Sequence, residues 1–64
     1  MKFMMLGLDT DTHEAEHVWI NFDHVASFYA HPDREGITLI YLSGHIDPAY
    51  IVKIEAKELM QYLG

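Results

Sequence analysis

Val25-Ala-Ser-Phe-Tyr-Ala-His-Pro-Asp-Arg-Glu-Gly-Ile-Thr-Leu-Ile-Tyr-Leu42 decides the fold, because two β-prone runs face each other across a turn marked by proline and glycine. In the first run, Val25, Ser27 and Tyr29 alternate with Ala26, Phe28 and Ala30, the period of a half-buried strand. The second run, Ile37 to Leu42, has the richest β-propensity in the chain and is expected to be a central strand. Between them Pro32 presets a turn, and Gly36 allows positive φ where the chain re-enters a strand. An antiparallel hairpin follows.

Downstream, Ser43-Gly-His-Ile-Asp-Pro48 breaks the pattern and Tyr50-Ile-Val-Lys-Ile54 resumes it, with Pro48 outside the strand where a missing N–H does no harm. The last ten residues change period from 2 to 3.6. Ala56, Leu59, Met60 and Leu63 fall on one helical face and Glu55, Lys57, Glu58 and Gln61 on the other. Glu55 and Glu58 complement the helix dipole, and Gly64 is read as the C-terminal stop. So short a helix does not persist alone in water, so it must dock on the sheet.

Upstream, Val18-Trp-Ile-Asn reads as a strand and Asn21-Phe-Asp-His24 as a tight corner with Asx-type chemistry. Asp9-Thr-Asp-Thr12 is a polar connection. Residues 3–8, Phe-Met-Met-Leu-Gly-Leu, are continuously apolar, which suggests a strand buried on both faces or paired with another chain. The start resembles a secretory leader, but Asp9 and Asp11 interrupt it before any small-residue cleavage site. The expected architecture is a single α+β domain over residues 1–64: a small antiparallel meander of four to five strands with one C-terminal helix packed on one face.

Composition narrows the function classes. Four Lys and Arg against ten Asp and Glu give 4 − 10 = −6, and the four cations are scattered, which argues against nucleic-acid binding. No apolar run approaches the roughly 20 residues of a membrane span, so a cytoplasmic protein without a membrane partner is expected. Half of the 64 residues are hydrophobic, which argues against disorder, yet a core this small supplies only about 3–5 kcal/mol without a staple. Cysteine is absent, leaving a metal site or association with other chains.

Three segments together, Val18-Trp-Ile-Asn-Phe-Asp-His-Val25, Ile37-Thr-Leu-Ile-Tyr-Leu-Ser-Gly44 and Tyr50-Ile-Val-Lys-Ile-Glu-Ala-Lys-Glu-Leu59, resemble the small flagellar FlbD-type proteins and similar uncharacterised bacterial and phage proteins. The resemblance covers about residues 17–63 and implies the order of strands and terminal helix. It transfers no catalytic residue. The longer connection from Gly44 to Tyr50 and the histidine content depart from that pattern.

His13-Glu-Ala-Glu-His17 matches the zinc-protease pattern His-Glu-x-x-His. That motif needs a helix to bring both histidines to one face, whereas in an extended approach to a strand positions four apart are separated by roughly 13 Å. His24 follows without the glycine-containing spacing of a third ligand. The competing reading is therefore a small-ligand or metal-binding module using His13, Glu14 and His17, with His24 as a further ligand. Asp9, Asp11 and His13 superficially open a calcium loop, but its sixth and twelfth positions hold Glu14 and Ile20. Ser27 and Ser43 lie in no nucleophile motif, so no catalytic residue and no cofactor is expected. Five histidines also make pH-dependent association an expectation.

Aromatic and methionine side chains exceed what one short helix can cover. The leading expectation is a non-enzymatic interaction protein, a homo-oligomer with an acidic surface that meets a further protein, with Phe3, Met5, Trp19 and Tyr41 at the interface.

Overall fold

The computed structural model describes residues 2–63; Gly64, the expected helix stop, lies outside them. The elements are β1 (Phe3–Gly7), β2 (His17–Asn21), a 3-10 turn (Phe22–His24), β3 (Val25–Ala30), β4 (Thr38–Leu42), β5 (Tyr50–Val52) and α1 (Ala56–Leu63). The small α+β fold is the one expected. Its strands form two antiparallel sheets, the hairpin β1-β2 and the meander β3-β4-β5.

A seam joins the sheets. Leu8 bridges to Val52, the Asp9 N–H donates to the Ile51 carbonyl at 2.8 Å, and the Lys53 N–H donates to the Gly7 carbonyl at 2.8 Å. The strands therefore follow one another as β2, β1, β5, β4, β3. At the far side the chain itself passes from β2 to β3 around the 3-10 corner. The Asn21 side chain accepts the Asp23 N–H at 3.0 Å, the Asx geometry expected there, and the Phe22 N–H reaches the Lys2 carbonyl at 2.7 Å.

This curl encloses one core. Leu6, Leu8, Ile20, Ile40, Val52 and Leu59 are buried, and Met4, Val18, Phe22, Val25, Phe28, Tyr50, Ile54 and Leu63 pack around them. Each fully buried aliphatic side chain is worth about 1.5–3 kcal/mol. In β1, Met4 and Leu6 turn inward while Phe3 and Met5 stay exposed, so the run expected to be buried on both faces is buried on one. Within β4, Thr38 and Ile40 take the inner face, and the Thr38 hydroxyl donates to the Ile54 carbonyl at 2.6 Å. A polar residue is thus tolerated in the core because it fixes the chain just before α1.

Three local features depart from simple periodicity. A register shift between Val25 and Ser27 lets both Val25 and Phe28 pack on the core, which strict alternation would place on opposite faces. β5 ends at Val52, not Ile54. In α1, Leu59 is fully buried but Met60 is exposed, so the apolar stripe is narrower than its spacing implies. Gly36 has φ 74° and Gly44 φ 82°, the left-handed backbone that the turns require. Among the described residues no helix is long and apolar enough to cross a membrane.

Candidate interaction surface

The outer face of the β1-β2 hairpin carries a stripe of large apolar side chains. Alternation turns Phe3 and Met5 outward on β1 and Trp19 outward on β2, and the register sets Met5 directly opposite Trp19. Phe3 faces Asn21, and Gly7 faces His17. Residues opposed in this way have Cβ atoms about 4.5–5.5 Å apart, so Met5 and Trp19 form one patch with Phe3 beside it. Exposures are 52% for Phe3, 52% for Met5 and 66% for Trp19. A single exposed apolar residue is ordinary; a contiguous group on one sheet face is the feature that protein-binding surfaces often present.

Tyr41, the fourth expected interface residue, lies on the other sheet. It is half-buried and meets Tyr29 edge to face, with ring centroids 5.6 Å apart. The register puts Ser27, Tyr29, Leu39 and Tyr41 on the outer face of β3-β4, so this is a second, partly self-covered apolar surface. Ile46, in the loop after β4, and Tyr62, on α1, are also exposed, and neither carries a mark in the sequence pattern; Met60, placed on the apolar helix face by its spacing, is exposed too. Ile46 is 93% exposed between Gly44 and Pro48, a position that a loop pattern does not distinguish from any other turn residue.

The polar connection expected at Asp9 to Thr12 is a turn, and Asp9 makes it a tightly partnered seam. Asp9 is only 2% exposed, and its two carboxylate oxygens accept both ends of the Arg34 guanidinium at 2.9 and 3.2 Å. The Thr12 hydroxyl donates to the same carboxylate at 3.0 Å, and the Thr12 and His13 N–H groups donate to the Asp9 carbonyl at 3.2 and 3.0 Å. The guanidinium hydrogen bonds lower the Asp9 carboxyl from 3.8 to about 2, against the opposing effect of burial, with Thr12 and the Asp11 backbone N–H adding to the lowering. Arg34 is raised in turn by the same carboxylate. The hairpin loop between β3 and β4 is thereby tied to the connection after β1.

The histidines of the His13-Glu-Ala-Glu-His17 motif have different surroundings. His13 Nε2 accepts the Ile51 N–H at 3.1 Å, so this nitrogen supports β5 and its ring lies 6.4 Å from that of Tyr50. His17 opens β2 and is exposed, while His24 sits at the opposite end of β2, in the 3-10 turn. Glu14 is exposed in the bend between them. The segment is not helical, which removes the geometric basis for two ligands on one face. Among the described residues no group of three His, Asp or Glu side chains converges to hold a metal ion, so the structure does not gather His13, His17 and His24. No family model, no curated protein and no solved structure matches this chain.

Proposed function

We propose that this chain is a small non-enzymatic interaction protein that self-associates through the outer face of the β1-β2 hairpin, leaving an acidic exterior for a further protein partner. The observation that carries this reading is the opposed pair Met5 and Trp19 with Phe3 on the same face, each more than half exposed. Two such faces meeting across a two-fold axis bury the same residues twice, the economical arrangement of homodimers. The core of the single chain is complete without it, so association adds stability and creates a new surface without being required to fill a hole. With a charge of −6 per copy, apolar contact must outweigh repulsion between copies, and salt strengthens the assembly by screening that repulsion.

Light scattering at tens of micromolar tests this. A dimer or larger assembly for the wild type, and a folded monomer for Trp19→Lys, is the expected pair of results. A wild-type monomer overturns it.

A further inference from the structure

The free edge of β3 carries a second, independent docking surface. Among the described residues β3 has a ladder partner on its β4 side only. The register shows which groups point the other way. The His31 N–H bonds to the Ile37 carbonyl and the Ala49 N–H to the Ile40 carbonyl, so Leu39 and Tyr41 direct their backbone toward β3, and Ile40 directs its carbonyl toward β5. By the alternation of an antiparallel ladder, Tyr29 and Ser27 exchange bonds with β4, and Phe28 and Ala30 turn N–H and C=O outward.

Edges of this kind are usually blunted by charge, proline or a covering element. Val25-Ala-Ser-Phe-Tyr-Ala30 has no charge and no proline, and α1, which touches β3, leaves a groove beside it. A groove of about 650 Å³ runs between this strand and α1, lined chiefly by apolar atoms from Phe22, Val25, Ala26, Phe28, Met60 and Leu63. It continues into a second cleft that reaches Ala30 and the hairpin loop, since Ala56 and Lys57 border both. The combined trough follows the six residues of β3, about 20 Å of extended chain.

Charge gives the trough a direction. Lys2 borders the end near the corner, where Asp23 is the acidic neighbour and Lys2 Nζ also reaches the Leu63 carbonyl at 3.0 Å, and Lys57 stands where the two clefts meet. Asp33, Glu35 and Glu55 border the other end, where Arg34 is engaged by Asp9. We infer that the β3 edge takes an extended segment of another protein as an added strand, with apolar side chains at alternate positions, an acidic residue at the corner end and a basic one at the loop end. Backbone hydrogen bonds to Phe28 and Ala30 supply affinity, and the groove and its charges supply selection. A slender segment fits better than a second folded copy, whose own α1 stands beside the same edge.

The test is a selection of displayed random decapeptides on the full chain, followed by titration of the enriched synthetic peptide into labelled protein. The expected peptide alternates apolar residues between oppositely charged ends and shifts the amide resonances of Val25–Ala30 and Ala56–Leu63. Ala30→Pro removes an outward N–H that the fold does not use, so it leaves the native spectrum largely intact and abolishes binding; Lys2→Glu weakens binding about tenfold. Trp19→Lys leaves it unchanged, which separates this surface from self-association. Failure to enrich any peptide, or enrichment of one that shifts Phe3, Met5 and Trp19 instead, overturns the inference.

Discussion

The seam around Asp9 and the outer face of the β1-β2 hairpin lie at the two margins of the same strand, and they are built in opposite ways. At the seam, a buried carboxylate, a guanidinium, a hydroxyl, an imidazole and the backbone N–H groups of Asp9, Thr12, His13, Ile51 and Lys53 meet with each hydrogen bond made inside the chain. On the hairpin face, Phe3, Met5 and Trp19 meet water. In a chain of 64 residues without cysteine, the Asp9–Arg34 clamp lies where two sheets must be held together. The seam serves folding, and the hairpin face is the surface we propose for association.

Variants that break this contrast have ordered sizes. Leu8→Ala strikes the seam and the core together, and removing that buried side chain costs about 3 kcal/mol in chemical denaturation, most of what so small a domain has. Asp9→Asn comes next, because Arg34 loses its charged acceptor while remaining in place; the melting temperature falls. The same bond makes a pH prediction. The folded carboxyl titrates at about 2 and the ordinary value is 3.8, so its contribution is complete above about pH 4 and is lost as the pH falls toward 2. In Asp9→Asn that portion of the acid denaturation curve flattens.

The histidines sharpen the contrast further. His13→Ala strands the Ile51 N–H and lowers stability by about 1 kcal/mol, whereas His17→Ala stays within about 0.5 kcal/mol. Neither variant alters the melting temperature's response to added Zn²⁺; a wild-type rise with Zn²⁺ that His17→Ala abolishes would restore the metal reading.

Much of the fold is legible in the sequence because each element is short and locally marked. Pro32 and Gly36 announce the β3-β4 turn, Asn21 the corner, and the period change after Ile54 the helix. Phe3, Met5 and Trp19 stand out as a surplus of large apolar side chains, but the continuously apolar run 3–8 does not show which of its faces is outward; the β1-β2 register does. The seam is not legible. Asp9 and Thr12 carry the spacing of a self-bonded turn, but the partner that buries Asp9 is Arg34, 25 residues away, and the β1-β5 bridge joins residues from opposite ends of the chain. Long-range pairing leaves no local mark. The register shift at Val25 and Ser27 is equally silent, and it makes Val25 a core residue by inserting one position.

The smallest predicted effect on stability belongs to the residue with the largest predicted effect on assembly. Trp19→Lys changes an exposed side chain and shifts unfolding by no more than about 0.5 kcal/mol once monomers are compared. The most direct measurement is sedimentation equilibrium of the wild type and Trp19→Lys at tens of micromolar. The account predicts a mass of at least two chains for the former and the 7.4 kDa of one chain for the latter; equal monomer masses for both would contradict it.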